Sequence, residues 1–127
     1  LKMERLKQRL EILRNSNVID EHVYVQLMNF ITRLKNKWKI ELTEENGAMM
    51  VTHIAMALQR IKRGEAVNEI DENVYSEVLK SERIDEIRDI YVDAQKNVFT
   101  EEIPEEEKKY IYINLLMIKE NWNQEDV

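Results

Sequence analysis

Val51-Thr52-His53-Ile54-Ala55-Met56-Ala57-Leu58-Gln59-Arg60-Ile61-Lys62-Arg63-Gly64 decides how the rest of the chain is read. With Met50 just before it, apolar residues recur at Met50, Ile54, Ala57 or Leu58, and Ile61, the spacing of a helix that buries one face. Gly47 precedes the run and Gly64 ends it; they are the only two glycines in 127 residues. Gly64 suits the left-handed position past a helix end, and Lys62 and Arg63 complement the negative end of the helix dipole. One of only two histidines, His53, sits on this segment.

Outward from that helix, every segment reads as helical. Met3, Leu6, Leu10 and Leu13 form a narrow apolar seam in residues 1–14, with Lys2, Arg5, Lys7, Arg9 and Arg14 on the other faces. Asn15-Ser16-Asn17 breaks the pattern, and a second helix follows from Asp20 to Lys37 with Val23, Leu27, Phe30 or Ile31, and Leu34 buried. Ile40 to Asn46 connects to the central helix, with Thr43 as capping material. Beyond Gly64, Glu65 to Ile70 is a loop and Asp71 caps a short helix from Glu72 to Leu79. Ile84, Ile87, Tyr91, Ala94 and Val98 make the next stripe. Pro104 and Glu105, Glu106 and Glu107 open a last helix whose Tyr110–Ile118 run is apolar nearly all round, so it should be central. Asn114 interrupts that run and needs a polar partner. Trp122 closes the body, and the tail 123–127 is polar and expected to fray.

The expected fold is therefore all-α, a five- to six-helix bundle with Ile54, Leu58, Ile61, Ile87, Tyr91, Ile111, Leu115 and Ile118 in its core. Its expected organisation is an N-terminal helix and turn at 1–17, the bundle at 18–122 and the tail at 123–127.

Composition narrows the function. Without cysteine there is no disulfide, thiolate nucleophile or thiolate metal site, and a reducing cytoplasm is the expected location. No apolar run approaches the ~20 residues of a membrane span, and no secretory leader opens the chain, whose start at Leu1 fits a trimmed or partial sequence. The net charge of −6 hides an asymmetry: residues 1–39 carry nine Lys/Arg against four Asp/Glu, and residues 40–127 carry ten against twenty-one. That acidic majority argues against nucleic-acid binding, and the basic first helix has no interleaved aromatic residue to stack on bases. There is no H-E-x-x-H, no glycine-rich phosphate loop and no G-x-S-x-G, so an enzyme is not expected. His22 and His53 lack metal-ligand spacing, and no metal or cofactor is expected.

His53 has two readings. A lone histidine beside an apolar face can be a satisfied boundary residue. It can also be a reversible nucleophile that takes a phosphoryl group on a ring nitrogen, with Arg60 or a partner's cation pairing the new charge. His22, at the polar start of its helix beside Asp20 and Glu21, reads as a solvated first-turn residue.

The run His53-Ile54-Ala55-Met56-Ala57-Leu58-Gln59-Arg60 resembles the first histidine motif of the PTS regulation domain, close to H-I-x-x-A-L-x-R. Downstream, a short helix around Val74-Tyr75, a helix from Ile84 to Val98 and the segment Glu105 to Leu116 follow in the family's order. Its final motif, approximately E-x-x-Y/F-I-x-L-H, stands here as Glu107-Lys108-Lys109-Tyr110-Ile111-Tyr112-Ile113-Asn114. The resemblance covers residues 18–122.

It implies a helical bundle that dimerises and receives phosphate on histidine from the phosphocarrier HPr or a sugar-permease subunit, to control transcription. Phosphoryl acceptance would fall to His53, with Arg60 and Asn114 supporting. Asn114 replaces the family's second histidine and cannot take phosphate. With no nucleic-acid-binding module in the sequence, the output is expected to pass through a partner. The alternative is a structural or dimerisation module of the same fold with an inert His53. Two further expectations follow: a homodimer, which the Met3–Leu13 seam would also favour, and Asn114 within direct or one-water hydrogen-bonding reach of His53.

Overall fold

A computed structural model describes the backbone over residues 4–65 and 69–125 and the side chains as far as Glu120. Met3 of the first seam, loop residues 66–68, the side chain of Trp122 and the end of the tail lie outside the described residues. Six helices follow in order: α1 Glu4–Asn15, α2 Glu21–Trp38, α3 Glu44–Lys62, α4 Glu72–Leu79, α5 Ile84–Asn97 and α6 Glu105–Glu125. There is no strand among the described residues. α6 continues into the stretch that the sequence reads as tail.

The boundaries have local causes. Asp20 caps α2 by accepting from Val23 N at 2.8 Å, and Asp71 caps α4 by accepting from Asn73 N at 2.7 Å. Thr43 begins α3 with a reciprocal pair: its hydroxyl accepts from Asn46 N at 3.2 Å, and its own N–H donates to Asn46 Oδ1 at 2.7 Å. Gly64 follows α3 at φ 70°, the left-handed region expected there. Gly47 plays a different part from the one its sequence position suggests. It lies inside the first turn of α3, where an added Cβ would sit 3.0 Å from Leu42 Cβ, so its lack of a side chain admits the incoming connection.

α3 and α6 are the two central helices. α3 packs on α1, α2 and α6, while α6 also takes α4 and α5. Ile54, Leu58, Ile87, Ile111, Leu115 and Ile118 are buried as the periodicity implies, and Ile61 is half-buried at the edge of the same core. Leu6 and Leu10 of α1 are fully buried within this chain, and Leu13 packs against them partly covered. The first seam thus finds its cover in α2 and α3, so it does not itself require a second copy.

One polar tie stands out in this apolar interior. Asp93 of α5 is buried and receives Arg33 of α2 in a bidentate pair at 2.7 Å each. Trp38 Nε1 donates to it at 3.1 Å, Lys37 Nζ at 3.2 Å and Asn97 Nδ2 at 2.9 Å. The Arg33 contact outweighs burial and, with the other donors, holds the carboxyl well below the usual Asp range.

Asp93→Asn is expected to cost about 2 kcal/mol in urea unfolding. That is below the usual cost of breaking a buried pair, because Arg33 and Lys37 can turn back to water. A carboxyl with a lowered folded pKa contributes stability above its unfolded pKa of about 3.9 and loses it as pH falls toward the folded value. Wild type should therefore lose stability more steeply than the variant below about pH 4.

Candidate functional site

Position 53 belongs to an outward stripe of α3. Met49, His53, Met56 and Arg60 succeed one another by four, three and four residues, so they share one face. Met49 is 75% exposed and Met56 37%, flanking the imidazole along the helix. The His53 side chain is 28% exposed. Its ring lies against Tyr110 of α6, with centroids 4.6 Å apart and planes tilted by 39°.

Behind the ring is Glu107, also on α6 and 1% exposed. Its Oε1 accepts from Arg60 Nη2 at 2.8 Å, and its Oε2 lies 3.5 Å from His53 Nε2. At that distance the second contact is a long electrostatic one, and neither atom has a closer partner; both are buried. Burial pushes the Glu107 carboxyl up, but His53 and Arg60 together outweigh it and hold the group below the usual Glu range. The carboxylate is therefore ionised at neutral pH, with one α3 residue on each of its oxygens.

Of the residues the sequence singles out, His53 and Arg60 come together on this carboxylate. Asn114 does not join them among the described contacts. It is half-buried, and its amide donates to Tyr110 O, four residues earlier in its own helix, at 2.8 Å. No direct hydrogen bond joins His53 to Asn114 among the described contacts, where the polar group closest to His53 Nε2 is Glu107. Glu107, Tyr110 and Asn114 follow one another along a single stripe of α6, and His53 meets the first two of them. In the sequence Glu107 reads as a charge at the helix start and as the first residue of the final motif, with no partner for its carboxylate. Its spacing of three and seven from Tyr110 and Asn114 was the available signal that it shares their face.

His22 is exposed and differently served. Its Nε2 lies 3.2 Å from Thr100 Oγ1, and its Nδ1 lies 3.4 Å from both Gln26 Nε2 and Lys62 Nζ. A broad open cleft elsewhere, lined by Val74, Val78, Arg83, Glu86 and Met117, does not include His53. No group of three or more His, Asp or Glu among the described residues is arranged to hold a metal ion. No described helix is long and apolar enough to cross a membrane.

Glu107→Gln should lower stability by about 1–2 kcal/mol in urea unfolding, since Arg60 loses its charged acceptor but is open enough to be hydrated. Because the folded carboxyl lies below its unfolded value of about 4.3, this contribution is present above that pH and vanishes as pH falls through the folded value. The difference between wild type and variant should therefore shrink on acidification.

The PRD domain family model matches residues 28–117, a span that starts inside α2, ends inside α6 and contains His53, Arg60, Glu107, Tyr110 and Asn114. Among curated proteins, the chain is 27% identical over 110 residues to the uncharacterized protein YhfY of Escherichia coli (strain K12), covering 87% of this chain and 91% of the relative. No solved structure matches it. With most of its length matched and the helices in the expected order, this chain belongs to the PRD domain family, a family of regulatory modules of the phosphotransferase system.

Proposed function

We propose that this regulatory module accepts a phosphoryl group on His53 from HPr or a sugar-permease subunit in the cytoplasm, and signals through a partner in transcription regulation. The observation that carries this reading is the posture of the imidazole. It sits on the outward stripe of α3, 28% exposed, with a buried carboxylate behind it. A histidine that serves only packing has no need of an exposed edge; a donor protein does, because its phosphoryl group must reach a ring nitrogen in line. Met49 and Met56 supply adaptable apolar contact area on either side. Arg60 and Asn114 support the site indirectly: Arg60 by sharing Glu107, and Asn114 by donating to the carbonyl of Tyr110, whose ring lies against His53.

A structural module with an inert histidine is the second reading. It is favoured by the closed Arg60–Glu107–His53 arrangement, which fastens α3 to α6 without any chemistry.

Incubation with phosphoenolpyruvate, enzyme I and HPr, or with a phosphorylated permease subunit, should give acid-labile phosphate on the wild type. His53→Ala should abolish the label while His22→Ala retains it. Label on His53→Ala equal to wild type would move the site elsewhere, and an unlabelled wild type would leave the structural module as the better account. Met49→Glu should slow labelling without changing the fold, read as initial rate against circular dichroism. By family, the module is expected to be a homodimer, with a light-scattering mass of twice 15.3 kDa; a monomeric mass would remove the assembly but not the acceptor.

A further inference from the structure

The two nitrogens of His53 are not equivalent, and the difference assigns their roles. Nε2 is buried, 3.5 Å from Glu107 Oε2, with no other partner. The ring's 28% exposure therefore belongs to the remainder of the side chain. Nδ1 has no hydrogen-bond partner among the described residues and is not sealed from solvent as Nε2 is. We infer, on the reading of His53 as acceptor, that the phosphoryl group is taken on Nδ1 and that Glu107 is the positioning residue, holding the proton on Nε2.

Three physical points converge on this assignment. A carboxylate facing one imidazole nitrogen favours the tautomer with the proton there, which leaves the lone pair on the other nitrogen. A phosphoryl group arriving at Nε2 would bring its negative charge against an ionised carboxylate in a poorly solvated seam. It would also have to part α3 from α6, because Nε2 is buried against Glu107 of α6. None of these obstacles stands before Nδ1.

The transfer then balances simply. The donor is a phosphoramidate, such as a phosphorylated imidazole protonated on its other nitrogen. The Nδ1 lone pair forms the new N–P bond as the donor N–P bond breaks, and that electron pair returns to the donor nitrogen, which leaves as neutral imidazole. Nε2 keeps its proton throughout. The His53 ring acquires the positive charge that the donor ring gives up, and it acquires it beside the carboxylate of Glu107. Glu107 touches neither the donor nor the phosphorus; it acts through the ring.

Two measurements on the full chain test this. In the ¹⁵N-labelled protein at about pH 8, where an ordinary imidazole is neutral, long-range proton–nitrogen correlation should show His53 protonated on Nε2 and bare on Nδ1. After labelling, NMR of the denatured protein should identify the Nδ1 isomer of phosphohistidine. Glu107→Ala should slow labelling about tenfold, the lower end for losing a partner that orients an imidazole, and spread the phosphate over both nitrogens. Glu107→Gln, which still offers a carbonyl to the Nε2 proton, should recover the Nδ1 isomer. Phosphate on Nε2 of the wild type, or a proton resident on Nδ1, would overturn the assignment while leaving His53 an acceptor. Labelling of Nδ1 by the small donor phosphoramidate but by no protein donor would uphold the assignment and remove the proposed function. A wild type that neither protein donors nor phosphoramidate label at His53 would overturn both.

Discussion

One buried carboxylate sits at the polar centre of the contact between the two central helices. Glu107 is 1% exposed, and an ionised group so placed is tolerable only when its oxygens are met by opposite charge or donors. Arg60 and His53 meet them from α3. These two residues stand seven apart, roughly 10 Å along the helix axis. Both reach one carboxylate because the arginine side chain is long and the histidine short. The arrangement pins the register of α6 on α3: a slide of one turn, about 5.4 Å, would strip Glu107 of both partners. Apolar burial favours the packing of the two helices; the carboxylate selects among the ways of packing them.

The same division holds elsewhere in the bundle. Most of the buried apolar side chains are leucine, isoleucine and valine, drawn from all six helices, and such burial is non-directional. Direction comes from a few polar ties between named helices. Asp93 joins α5 to α2, and Lys109 of α6, 9% exposed, reaches Glu72 of α4 at 2.8 Å and Glu106 at 3.0 Å. Glu106 in turn accepts from Ile70 N at 3.0 Å, fastening the approach to α4. Arg9 and Glu44 make a comparable pair between α1 and the first turn of α3. The exposed pairs, such as Lys80 with Glu77, contribute little by comparison.

Structure and proposed chemistry share one residue, which under that proposal would give the module a route from phosphate to shape. Glu107 faces the ring whose charge would change on phosphorylation, and it also holds Arg60. A more positive ring draws on the carboxylate that Arg60 now shares, so a local change of charge bears directly on the α3–α6 seam. Asn114 lies outside this exchange. Its Nδ2 donates within its own helix, and an amide at the position of the family's second histidine offers no nucleophile.

Local pattern made much of this legible. The six helices, the caps at Asp71 and Thr43, the turn at Gly64 and nearly all of the core follow from spacing and side-chain chemistry within a few residues. The family emerged from His53 through Arg60 and from Glu107 through Asn114, because a motif is itself a local pattern. What escaped depends on partners far apart in sequence. Asp93 looks like one more charge on α5 until Arg33, sixty residues earlier, closes on it. Gly47 looks like a helix boundary until Leu42 is packed against it. The seam of α1 invites a second copy until α2 and α3 cover it. Glu107 looks like a first-turn charge until the packing of α6 on α3 sets it against His53 and Arg60. Helical periodicity depends on rotation about one axis and is written in the chain. Register between two helices depends on side-chain shape and charge across their contact, and only the assembled bundle decides it.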